Sequence, residues 1–355
     1  VAWNAANQEL YATTLDGGPI PDSLVQVNPT TGTVGPSLAL SVTPTQLALS
    51  SDGQYAYVAS QDEPTIYRVA LPSLTADLQI PLGSGQNGTN TVYQMAVAPG
   101  APHTLAVSFD SGGSTEYTSG IAVFDDAAQR TNVLGPLNSF GSPAPIAWGD
   151  TASTLFALRI AQSSGPTWLS ELDSVSVTAS GLALASAFPV NLETDPLNAF
   201  RYAAGRLYGN DAIVRDASTG ATLGQFAIPS GYQVITLMPD PANSRVVFLT
   251  HDGSSSHLVL LCYDAASFAM TSLADLGYDN SGGYGITLTL WGTNGLAFDY
   301  GGDQVMVLAG AFVPQSAGAR HEAAVVSPES RGAARALRTP QQRLLLRHIL
   351  PHARG

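Results

Sequence analysis

Seven times along the chain the same passage returns: an apolar run, a turn carrying Asp, Gly or Asn, a second apolar run ending on an aromatic, a polar loop, then another hairpin. The clearest copy spans residues 47–59, where two β-rich runs meet at Asp52-Gly53, a pair whose tolerance of positive φ suits a tight hairpin. Equivalent passages lie at 1–13, 95–108, 146–159, 200–210, 237–250 and 288–300. Aligned on the second run, Tyr11, Tyr57, Ala106, Phe156, Tyr208, Phe248 and Phe298 share one register, so the passage recurs every 40 to 52 residues. The hairpin that follows is plainest at 24–34 and 212–223. Each unit therefore holds four antiparallel strands.

A period of that length with four strands predicts an all-β, seven-bladed β-propeller. One four-stranded sheet buries only part of its apolar surface, so neighbours must stack face to face, and a closed ring leaves no unit uncapped. Residues 1–314 are assigned to this single radial domain. Residues 315–355 lack strand alternation and read as an Arg-rich tail, disordered or weakly helical around Leu344, Leu345 and Leu346. Ring closure is expected to pair strands from both ends, with residues 1–3 near 304–313.

The 355-residue chain has no lysine. Seven arginines face 25 acidic residues in 1–314, a formal charge of −18, while the tail has seven against two, or +5, and together these give the −13 of the whole. A body that acidic repels phosphate backbones, which argues against nucleic acid as a partner. No run approaches the length of apolar sequence that spans a bilayer as a helix. Val1 opens directly on a strand, with no signal-peptide pattern before it. The one cysteine, Cys262, sits in the apolar run 258–263 and reads as a buried thiol.

The copies at 47–59 and 25–32, the latter Val-Gln-Val-Asn-Pro-Thr-Thr-Gly, resemble the YVTN-type repeat propellers, which are similar in turn to the bacterial 6-phosphogluconolactonase propellers. The resemblance implies an exported, extracytoplasmic bacterial protein and carries no catalytic residue with it, because no lactonase site motif matches position by position; the protein is expected to be a monomer. Blade 3 departs from the repeat at Ala106, and blades 3 and 4 carry insertions at 109–119 and 160–170 that are expected to decorate the ligand-bearing face.

That face is where loops between second and third strands gather with the links entering each first strand, and it is rich in carboxylates, Asp211 among them. Asp195 with Asn198 and the pair Asp279-Asn280 are the nominated oxygen ligands for a divalent cation such as calcium; the alternative is solvated loop carboxylates and Asx turns. His251 and His257 flank a flexible loop, and with Asp252 as orienting group they are the candidate acid–base residues, or two zinc ligands. Gln46, Tyr93, Gln94, Tyr232, Gln233 and Tyr284 place amides and aromatics at the first strands, a lining suited to a small polar ligand, glycan or peptide. The leading reading is an extracytoplasmic binding or interaction module. The alternatives are a metal-assisted hydrolase of lactones, esters or phosphoesters, and a structural cell-surface repeat.

Overall fold

The computed structural model describes residues 1–309, apart from 17, 61–62, 86–87, 112–117, 136–144, 163–167, 192–196, 198, 280–285 and 301–303, and also residues 345–348. Seven antiparallel sheets follow one another along the chain, each ordered as its strands occur in sequence. Blade 1 is Ala2–Asn4, Glu9–Thr14, Ser23–Asn28 and Thr33–Ala39; blade 2 is Gln46–Leu49, Tyr55–Ala59, Thr65–Ala70 and Thr75–Pro81. Blade 3 is Gly88–Ala98, Ala101–Ser111, Thr118–Asp125 and Ala128–Gln129, with Ser84–Gly85 as a short extra edge. Blade 4 is Ile146–Trp148, Thr154–Gln162, Trp168–Thr178 and Gly181–Asn191; blade 5 is Phe200–Ala203, Arg206–Gly209, Ile213–Asp216 and Thr222–Gln225. Blade 6 is Tyr232–Asp240, Arg245–Asp252, His257–Asp264 and Met270–Asp279; blade 7 is Leu288–Trp291, Gly295–Tyr300, Gln304–Ala309 and Leu345–His348. The fold is the seven-bladed β-propeller that the repeat predicts, and among the described residues the one helical turn is a 3-10 turn at Pro241–Asn243.

Repeated side-chain chemistry builds the turns. Asn28 Oδ1 accepts from the backbone amides of Thr30 and Thr31 at 3.0 and 2.9 Å, and Gly32 follows with φ 71°. Asp216 does the same for Ser218 and Thr219 before Gly220 at φ 71°, and Asp264 does so for Ala266 and Ser267. A short side-chain acceptor closes an Asx turn on the chain just ahead of it, and a left-handed residue lets the strand return. At Asp52-Gly53 only Gly53 takes a positive φ, 70°. The hairpin is therefore wider than a two-residue turn, with Ser50 accepting from the Gly53 amide at 2.9 Å.

Two compact units organise the chain: residues 42–225, and residues 1–41 with 226–355. In the first, blades 2 and 3 share a core of Tyr57, Ile66, Leu105 and Phe124. Blades 3 and 4 share Ile121, Val123, Trp148 and Leu155, and blades 4 and 5 share Phe156, Leu172, Phe200 and Leu207. Polar ties cross the same seams. The Tyr57 hydroxyl donates to Pro102 O at 2.8 Å, and Trp148 Nε1 donates to Ala96 O at 2.8 Å. Arg68, which lies 4.6 Å from the Tyr55 ring centre, binds Asp77 and Asp126, and His103 Nδ1 lies 2.8 Å from Asp126.

In the second unit, blades 6 and 7 share Leu249, Leu260, Leu296 and Phe298, and blades 7 and 1 share Val307, Val305, Leu10 and Val25. Trp3 packs on Trp291 at 6.2 Å, and the Val1 ammonium donates to Thr287 Oγ1 at 2.9 Å. The chain start thus adjoins the last blade as expected, but not by strand sharing: Ala2–Asn4 pairs only within blade 1. The fourth place in blade 7 goes instead to Leu345–His348, paired Met306 with His348 through Ala309 with Leu345. Residues 288–309 supply three strands, which leaves the Gln304–Ala309 edge free to accept a fourth from further along the chain. The described parts of the insertions at 109–119 and 160–170 continue the strand ladders, with Phe109 opposite Gly120 and Ile160 opposite Ser170.

Candidate functional site

The densest group of chemically able side chains among those nominated from sequence is at one end of blade 6. Tyr232 and Asp252 stand opposite each other on the first and second strands, and so share a face. His257 opens the third strand, and its Nδ1 lies 3.1 Å from both carboxylate oxygens of Asp275 on the fourth. Burial pushes the Tyr232 phenol up, and the negative charges of Asp252 and Asp275 push it further. One residue from each strand therefore contributes to a phenol, an imidazole and two carboxylates.

Asp252 is not the group that orients a histidine here. Its Oδ1 accepts from the Ser254 amide at 2.9 Å and the Ser254 hydroxyl at 2.8 Å, and its Oδ2 accepts from the Ser255 hydroxyl at 2.8 Å. These bonds hold the carboxyl well below its usual range, at about 2. Asp216 reaches about 2 by the same device, through Ser218 and Thr219. Asp275 is the partner of His257, a residue the sequence reading passed over. The signal was present in retrospect, because a fourth strand that pairs with the third brings residues across from His257.

His251 does not join His257. It stands opposite Gln233 and Leu258, one residue before Asp252, and alternation sends it to the other face. Among the described residues, no group of three or more His, Cys, Asp or Glu side chains is arranged to hold a metal ion. Asp195, Asn198, Asn280 and Tyr284 lie outside the described residues, and Asp279 is placed by its backbone alone, opposite His257. Asp211, one of the expected loop carboxylates, is buried in an ion pair with Arg215 at 2.6 Å and accepts from the Ile213 amide.

The other nominated first-strand residues belong to the unit of blades 2–5. Gln94 ties blade 3 to blade 4, its Oε1 accepting from the Ile146 amide at 2.9 Å. Tyr93 falls out of the ladder at a bulge between Val92 and Gln94, and burial raises its phenol. Gln46 stands opposite Ala59 at the start of blade 2. Cys262 is buried as read, and burial pushes its thiol up.

No protein-family model matches the chain, and no curated protein matches its sequence. Solved structures do match in fold. The chain is similar to the β-propeller domain of Myceliophteria thermophila Cps50 (Swd1), with a TM-score of 0.60 at 14% identity over 84% of this chain and 92% of that one. It is similar to a chain of the Mitotic Checkpoint Complex, at 0.59 and 13% identity over 86% and 85%. It is also similar to Kluyveromyces lactis Hsv2, at 0.57 and 10% identity over 86% and 92%. At such identities the likeness defines the class of fold alone, a β-propeller.

Proposed function

We propose that this protein is an extracytoplasmic interaction module of the YVTN-repeat kind, which captures a polar peptide or glycan, preferentially cationic, at the loop-bearing end of blade 6. The observation that carries the reading is the row Tyr232, Asp252, His257 and Asp275. A phenol offers stacking surface and a donor, and two carboxylates offer acceptors on a rigid four-strand base. The surrounding charge favours the same partner. Residues 1–314 carry 25 acidic side chains against seven arginines, and Arg68, Arg130, Arg159, Arg215 and Arg245 are already engaged in ion pairs. A cationic segment is therefore steered in, and its binding weakens with salt.

The test is retention on peptide and glycan arrays. Basic peptides are expected to be retained, with Tyr232→Ala and Asp275→Asn each weakening binding about tenfold and Asp195→Ala leaving it unchanged. Retention that ignores both blade 6 substitutions, or no retention at any salt concentration, would sink the proposal. A hydrolase panel run with and without chelator keeps the catalytic alternative in view. Turnover lost in His257→Gln would move the His257–Asp275 pair from recognition to acid–base chemistry.

A further inference from the structure

The first strands of the seven blades can be compared position by position, because each pairs with its second strand in a defined register. Opposite the aligned second-strand residue stand Ala2, Ala48, Ala96, Ala147, Leu237 and Leu288 in six blades. In blade 5 the equivalent residue is Arg201, opposite Tyr208. Ala48, Ala96 and Ala147 pack against the apolar cores of their blades, as the repeat requires. A guanidinium in that place does nothing for packing that alanine does not do better.

Nor is Arg201 neutralised among the described residues. Of the seven arginines in residues 1–314, five form ion pairs and Arg206 also has a partner. Arg201 has no hydrogen bond or ion pair among the described residues. Burial alone pushes it below the ordinary arginine range, with no carboxylate contributing, and it stays protonated nonetheless. Phe200 and Tyr202, its neighbours along the strand, belong to the core shared with blade 4, where Tyr202 stacks on Phe156 at 5.3 Å. Alternation therefore puts Arg201 and Tyr208 together on the opposite face.

Tyr208 likewise has no hydrogen-bond partner among the described residues, although it is only 4% exposed. Arg201 keeps part of its surface exposed, beside the almost fully buried Tyr208. Two adjacent donors without an acceptor among the described residues, one of them a cation, leave a binding demand that an oxyanion meets. The planar fork of arginine donates to two oxygens of a carboxylate or phosphate, and a phenol O–H adds a third bond.

We propose that Arg201 and Tyr208 form a recognition site in blade 5 for a small oxyanion, the carboxylate or phosphate group of a soluble ligand. The site shares no residue with the cation-favouring row of blade 6, and the two readings fail independently. Inorganic phosphate and succinate are the two probes, each titrated calorimetrically and by thermal shift against sodium chloride at matched ionic strength. At least one is expected to bind and raise the unfolding midpoint, and which one does assigns the phosphate or the carboxylate source. Tyr208→Phe should weaken binding about tenfold, and Arg201→Met should abolish it while folding normally, since an unpaired buried cation contributes nothing to the fold. If the methionine variant fails to fold, Arg201→Lys takes its place, keeping the charge but losing the fork and at least about tenfold in affinity. Absence of binding by both probes, or equal binding in the Arg201 variants, overturns the site.

Discussion

Asp216, Asp252 and Asp264 show why an acidic residue in a propeller loop is a poor guide to chemistry. Each is half-buried, each accepts from hydroxyls and amides two and three residues ahead, and each has its carboxyl held low by those bonds. A depressed folded pKa means that the charged form is favoured in the native state. The contribution is complete above the unfolded carboxylate range and is lost as pH falls toward about 2 for Asp216 and Asp252. NMR titration should therefore find both carboxyls still ionised at pH 3, and ordinary values would refute the turn geometry. Asp216→Asn should keep most of the stability that Asp216→Ala loses, because the amide oxygen still accepts. Buried charge behaves differently. Asp211→Ala strands the Arg215 guanidinium, whose side chain is 9% exposed, and should cost about 3 kcal/mol in denaturant unfolding. From sequence Asp211 and Asp252 look alike, and only the strand register separates an ion pair from a turn.

At the scale of elements, the hairpins were legible because apolar alternation and turn residues act locally. The four-strand blades follow from them, and so does the aligned row of second-strand aromatics, of which Tyr11, Tyr57, Phe248 and Phe298 are fully buried. What alternation does not reveal is the polar traffic between blades. Tyr57→Phe removes the bond to Pro102 across the seam of blades 2 and 3 and should cost about 1–2 kcal/mol, with no change in strand content by circular dichroism. The last blade offers a second check. Ending the chain at residue 309 removes the partner strand Leu345–His348 and bares the Gln304–Ala309 edge. The unfolding midpoint should fall by roughly 2–5 °C; an unchanged midpoint would show that this strand adds nothing to the blade.

At the scale of the whole molecule, the formal charge of −13 sets the response to salt. Self-repulsion among carboxylates destabilises the compact state, so raising ionic strength from about 10 to 300 mM should raise the unfolding midpoint. A midpoint that falls with salt would mean that the ion pairs of the arginines outweigh the repulsion. Fold class, blade number and this charge were in the sequence by itself, because strand alternation, turn residues and ionisable groups are local properties repeated seven times. The partner of His257, the opposed faces of His251 and His257, and the donor pair Arg201 with Tyr208 were decided only by tertiary structure. Each depends on which residues lie across from one another on paired strands, and a one-residue shift in register, invisible in composition, would send every one of those side chains to the other face.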